Sequence, residues 1–194
     1  MSGDALRFAA TVLLTATAVV YADMVLVTLP HLAAITETAC RADAACRLAD
    51  FHMFDLRPAG YDLATARDLV TALGPAGRAE YLEVQHRLDA VFPALNGLSL
   101  ALGLAFVGVR LGLTRPIAAG LATVIATPTA LLDWAENASV AVLLALGPTG
   151  IDADTVAAAS RYTVAKSIAV TIVMSLLGIG LAMVAWRQWR KTRS

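Results

Sequence analysis

Four long apolar runs alternate with polar breaks along this chain, and they predict four membrane-spanning helices. The runs cover roughly residues 8–35, 90–109, 117–146 and 156–186. Each meets the ~20 residues that a bilayer's hydrocarbon core demands. The third and fourth exceed that length, so they are expected to tilt or to project beyond the hydrocarbon. The first run has Arg7 ahead of it and a small-residue step, Val20-Tyr21-Ala22, in the manner of a signal peptide. It continues through Val25-Leu26-Val27 to Ile35, too far for a leader's apolar region, and is read as the first span.

The stretch between the first two runs, about residues 37–89, is too long for a simple connection. Asp62 is placed to cap a helix from Leu63 to Leu73, which Gly74-Pro75 ends. A second helix is expected from Ala76 through Ala90 into the second span, with Pro93 kinking it. The loop is therefore a helical cap over the outer mouth of the bundle. Its apolar residues Phe51, Met53, Phe54 and Leu56 are expected to dip into the headgroup layer. The fold class is an all-α integral membrane protein with four transmembrane helices and a helical outer cap. It forms a single transmembrane domain across residues 1–194.

Composition agrees with this pattern. Of 194 residues 58% are hydrophobic and 15% charged, where soluble domains carry about a quarter charged. Mean hydropathy is +0.69. Formal net charge is zero and no basic strip with interleaved aromatics occurs, which argues against a nucleic-acid partner. Arg7, Arg110, Arg115, Arg187, Arg190, Lys191 and Arg193 all fall at one end of the predicted bundle, while the acid-rich loops fall at the other. By the positive-inside rule both termini are cytoplasmic, in what is expected to be a bacterial inner membrane.

The candidate chemistry centres on one interruption of the third run, Asp133-Trp134-Ala135-Glu136-Asn137. Asp133, Glu136 and Asn137 are spaced i, i+3, i+4 and share a helical face. Ionisable groups inside a span are costly and turn toward protein or water, so they mark a functional site. Counting at ~1.5 Å per residue from the basic end puts Asp23 about 24 Å up, Asn96 about 21 Å, Asp133 about 26 Å and Lys166 about 31 Å. Every helix thus supplies the outer third of the bilayer with a polar group. Arg78, Tyr81, Gln85, Asp89, Pro93 and Asn96 recur every three or four residues on the second helix, and Tyr162 and Lys166 are i, i+4 on the fourth.

These faces are read as the lining of a cavity open to the outside. Glu136 is assigned as the proton-transfer group, Asp133 as its partner, and Asp89 as a second carboxyl, since two carboxyls in unlike environments divide acid and base roles. Asp23, Arg78, Tyr81, Asn96, Trp134, Asn137, Tyr162 and Lys166 complete the binding set. The ligand class is a membrane lipid or lipophilic small molecule. Two other readings stand beside this one. In the first, Lys166 is a structural ion pair, the asparagines are interhelical glue, and the chain is an accessory or assembly subunit with a membrane-protein partner. In the second, the acids relay protons in a transporter, although the inner halves of the helices offer few polar steps.

Cys40 and Cys46 both fall in the outer loop, where a disulfide is expected on the oxidising side. Their spacing is not that of a C-x-x-C dithiol, no zinc signature occurs, and no histidine pair suits haem, so neither metal nor cofactor is expected. Four spans, a large first loop and a cysteine pair are similar to the claudin layout, without that family's tryptophan-containing loop signature. Embedded carboxylates beside a tryptophan are similar in residue type to the sterol-isomerase and sigma-2 receptor group. Neither similarity carries a residue role.

Overall fold

The computed structural model describes residues 3–193, and among these every regular element is helical. α1 (Gly3–Asp23) runs through a wide turn, Met24–Thr28, into α2 (Leu29–Ala42). After a loop that holds one 3-10 turn, Phe54–Leu56, α3 (Leu63–Glu80) leads through a second wide turn, Tyr81–Gln85, into α4 (His86–Leu111). α5 (Arg115–Gly150) and α6 (Ala153–Lys191) complete the chain. Four continuous columns result, Asp4–Ala42, Leu63–Leu111, Arg115–Gly150 and Ala153–Lys191, each long and apolar enough to cross a membrane. The protein is an all-α, four-helix membrane protein.

All four columns reach further at the capped end than the apolar runs alone indicate. The first column extends past Ile35 to Ala42, and the second begins at Leu63 rather than near residue 90. The long loop shrinks to residues 43–62, because the cap helices are upward extensions of the spans. At ~1.5 Å per residue, a column of 39 residues is about 58 Å long, against a hydrocarbon layer of ~30 Å. α4 is the hub, packing on α1, α5 and α6, while α1 leans chiefly on α4. The Thr17 and Ser99 hydroxyls, 2.9 Å apart, and a Tyr21–Phe92 ring stack fasten that seam.

Local sequence explains the irregular backbone. Asp62 and Asp152 cap α3 and α6, each accepting a 2.8 Å bond from the amide three residues on, Thr65 and Thr155. Those amides hold both carboxyls below the usual range. Gly74 and Gly147 each precede a proline, which drives them out of the helical region. Their φ/ψ of 62°/179° and 70°/175° demand glycine. The columns continue across both breaks, so the expected stop at Gly74-Pro75 is a step within one column.

The two wide turns serve register. Residues four apart on an α-helix drift by roughly 40° per step, and a turn with one extra residue rewinds that drift. Tyr81, Gln85, Asp89 and Pro93 therefore all stay buried on one face. The His86 and Leu29 amides reach back five residues, to the Tyr81 and Met24 carbonyls, to close these turns.

The cap also departs from expectation. Met53 and Phe54 do not face headgroups: both are fully buried, in a core with Leu29, Leu32, Tyr81, Leu143 and Val156. The 50–62 segment is a plug driven into the top of the bundle. Leu56 is exposed, and Phe51 lies under the Arg41 guanidinium at 5.9 Å. Gly60 lies so close to α6 that a Cβ there would stand 2.6 Å from the Ser160 hydroxyl, which accepts the Tyr61 amide at 2.9 Å. Cys40 and Cys46 are bridged, with Cα atoms 5.4 Å apart. The helix stops at Ala42, and the turn that follows folds Cys46 back.

Candidate functional site: a buried carboxylate cluster under the cap

The face spacing of the α5 interruption holds. Asp133, Glu136 and Asn137 are buried while Trp134 between them is 41% exposed. Lys166, on α6, places its ammonium against Glu136 and 3.3 Å from Asp133 Oδ1, so one cation serves two carboxylates. Lys166 is thus held inward at 14% side-chain exposure instead of reaching for the interface.

Prolines prepare the next bonds. A proline inside a helix leaves the carbonyl four residues back without its amide donor. Pro93 frees the Asp89 carbonyl, and Asn137 Nδ2 donates to it at 2.9 Å. The Trp134 indole N–H donates to the neighbouring Ala90 carbonyl at 3.0 Å. Pro148 frees the Leu144 carbonyl, and Arg78 Nη1 fills it at 2.8 Å. Arg78 therefore ties the two Gly-Pro breaks together, with its Nε donating to the Gly74 carbonyl at 3.3 Å.

The α4 stripe carries the network to the other columns. Gln85, wholly buried, donates to Asp89 Oδ2 at 3.1 Å and accepts from the Thr28 hydroxyl, which joins the two wide turns. Tyr81 donates to Asp55 at 2.5 Å. Asp55 rides in on the plug and stands near enough to Asp89, Asp133 and Glu136 to act on each electrostatically. The cluster so assembled holds four carboxyls, Asp55, Asp89, Asp133 and Glu136, around the single ammonium of Lys166.

Three buried side-chain oxygens in it lack a hydrogen-bond partner among the described residues: both Glu136 carboxyl oxygens, of which Oε2 meets the Lys166 ammonium as an ion pair, and the Tyr61 hydroxyl. Tyr61 and Glu136 both approach the Thr163 hydroxyl, which donates a long bond to the Ala159 carbonyl at 3.4 Å. A buried acceptor and a buried donor thus stand near one hydroxyl under the plug without a short hydrogen bond of their own, which a well-packed core seldom leaves. Burial holds the Tyr61 phenol well above the usual tyrosine range, so it stays a donor.

Other expected members fall outside this network. Asp23 is half-buried, and among the described residues its side chain makes no hydrogen bond or ion pair. Asn96 is half-buried and likewise makes no side-chain hydrogen bond there. Tyr162 is 40% exposed, since a position four residues from Lys166 on α6 has rotated off the buried face. The cavity expected to open outward is instead roofed by Met53 and Phe54, because the loop folds into the bundle mouth. Asp55 and Tyr61 were not legible from the sequence. They sit in a loop with no periodicity to assign them a face, and their one local signal is a polar residue on either side of the Met53-Phe54 and Pro58-Gly60 steps.

A groove of about 330 Å³ opens on the lipid side between α4 and α5, walled by Ala94, Gly97, Ala126 and Ala130, with Trp134 at its upper end. Trp134 directly follows Asp133, so the groove's upper end is level with the cluster. Among the described residues no group of three or more histidine, cysteine or carboxylate side chains is arranged to hold a metal. No family model matches the chain, and neither the curated proteins nor the solved structures yield a significant match.

Proposed function

We propose that this protein binds a lipophilic small molecule at the Glu136–Lys166–Asp133 cluster and exchanges a proton with it. The observation that carries this reading is the incompletely bonded pair, Glu136 Oε1 and the Tyr61 hydroxyl, both buried beside Thr163. A polar group of a ligand seated there satisfies both. In this reading Glu136 is the proton-transfer group. Asp133 shares Lys166 with it and sets the ammonium's position, and Asp89 is a second carboxyl on the facing helix, oriented by Gln85. The groove beneath Trp134 is the lateral route from the bilayer, and movement of the 50–62 plug is the route from the aqueous side. With the basic residues at the far end, the cap faces out of a bacterial inner membrane and both termini face the cytoplasm. A C-terminal reporter that is active only in the cytoplasm tests that orientation.

The binding reading is tested by extracting the purified, detergent-solubilised protein and identifying co-purified small molecules by mass spectrometry. A molecule near one equivalent in the wild type, lost in Glu136→Gln and Tyr61→Phe variants that stay monodisperse, is the expected result. The same molecules in all three preparations would refute the assignment. One observation favours a second reading, an accessory subunit: the plug is tightly seated and most of the network is already paired. Stoichiometric membrane-protein partners that leave with the cap when residues 50–62 are altered would promote it.

A further inference from the structure

The end of the bundle opposite the cap carries features that the buried cluster does not use. Asp4 is the one acidic side chain of the described residues there, among seven basic ones. Between the ends of α4 and α6 lies a cleft of about 520 Å³ with Arg110, Arg187, Arg190 and Lys191 on its walls. Arg187 is fixed across it by a 2.9 Å bond to the Leu111 carbonyl.

A second, apolar groove of about 470 Å³ lies deeper in the bilayer, between Leu102 and Phe106 of α4 and Leu177 and Leu181 of α6, flanked by Leu14 of α1. Helical register sets one above the other on the same seam. Phe106 and Arg110 are i, i+4, and Leu181, Val184 and Gln188 are i, i+3, i+7, so each helix shows one face to both. At the junction the Arg110 guanidinium lies over the Phe106 ring, 4.9 Å from its centroid. The seam is shaped by glycine: a methyl group on Gly180 would overlap Val107, and one on Gly103 would stand 3.1 Å from Leu177. The backbones approach closely at these points, and the larger side chains beside them leave the groove.

We propose that this seam binds an anionic glycerophospholipid, with its phosphate in the arginine cleft and one acyl chain along the apolar groove. Guanidinium groups match phosphate oxygens in a bidentate geometry that an ammonium lacks. Basic pockets at the ends of membrane helices favour anionic over zwitterionic headgroups. The apolar continuation selects a lipid over a free anion, and the four cationic side chains select an anionic lipid over a neutral one. The site stands at the opposite end of the bundle from the carboxylate cluster and is independent of the function proposed for it.

Native mass spectrometry of the full chain in mild detergent, titrated with phosphatidylglycerol or phosphatidylcholine of the same acyl chains, tests it. Phosphatidylglycerol is expected to bind about tenfold or more tightly than phosphatidylcholine. The Arg110→Gln/Arg190→Gln double variant should bring the two lipids level, and Arg115→Gln, outside the cleft, should change nothing. Gln188→Glu alters one exposed side chain in the cleft and should weaken phosphatidylglycerol selectively. Leu102→Trp, filling the groove, should weaken both lipids. These two variants decide the matter if the double variant fails to fold. Equal binding of the two lipids overturns the proposal, as does phosphatidylglycerol binding that survives both Gln188→Glu and the loss of the arginines. Full displacement of phosphatidylglycerol by millimolar inorganic phosphate would reassign the cleft as a free-anion site.

Discussion

The two halves of this bundle solve the same packing problem with opposite means. Toward the basic end the helices hold no wide turn or Gly-Pro break among the described residues, with Pro128 the one proline inside a helix, and the core there is small, built on Leu100, Ala126 and Val173. Toward the cap the same columns contain two wide turns, two Gly-Pro breaks and a plug, around a larger core and a polar network. In the capped half, irregular backbone and polar side chains come in matched pairs. Asn137 answers the carbonyl that Pro93 frees, Arg78 answers the one that Pro148 frees, and the Thr28–Gln85 bond joins the two wide turns. Buried carbonyls without donors are costly in lipid, so each distortion is tolerable because a side chain from another column meets it. The lower half has one proline inside a helix, Pro128 of α5, and no wide turn or Gly-Pro break among the described residues.

The comparison is broken most severely at Lys166. Lys166→Met leaves Glu136 and Asp133 buried without their cation, and a loss of about 3–5 kcal/mol is expected. Reversible unfolding in mixed micelles measures it. Adding Glu136→Gln and Asp133→Asn should recover part of that loss, and additivity of the three changes would show that they do not form one unit. Arg115→Gln, at the basic end, should move stability by less than about 0.5 kcal/mol.

Asn137→Leu tests the pairing of side chain with backbone. It strips the Asp89 carbonyl of its donor in a buried setting, for an expected cost of about 1–3 kcal/mol. Slower hydrogen exchange around Pro93 in that variant would contradict the assignment.

A pair of glycine substitutions gives the smallest and sharpest contrast. Gly147→Ala must hold φ at 70° and would place a Cβ 2.7 Å from Arg78 Nη1, so a loss of about 1–2 kcal/mol is expected. Gly178→Ala meets open space on a regular helix and should be neutral or gain up to about 1 kcal/mol. The same unfolding measurement reads both, and equal effects would erase the distinction between the halves.

Much of the architecture was readable in advance because it rests on one-dimensional signals. Span count follows from apolar run length, and the Asp62 cap follows from an aspartate placed just ahead of a helical run. The face shared by Asp133, Glu136 and Asn137 follows from helical periodicity, and so does the α4 stripe. The path of residues 43–62 was not readable, since a loop without periodicity carries no signal for depth. For the same reason the sequence places Met53 and Phe54 in the headgroups and gives Asp55 and Tyr61 no depth. Depth counting puts Asp23 and Asn96 in the same layer as the carboxylates. Level alone does not give the angle around a column, and neither residue enters the network.

By itself the sequence determined four spanning helices, a polar layer near one end and a cationic rim at the other, because burial in lipid is dictated residue by residue along each helix. Only the tertiary structure decided that the layer is closed, that Lys166 serves two carboxylates at once, and that Glu136 Oε1 and the Tyr61 hydroxyl are left facing each other's neighbourhood. The closure, the shared cation and the burial of Glu136 and Tyr61 beside Thr163 depend on how four columns rotate against one another and on where a twenty-residue loop comes to rest. No local pattern along a single helix encodes either.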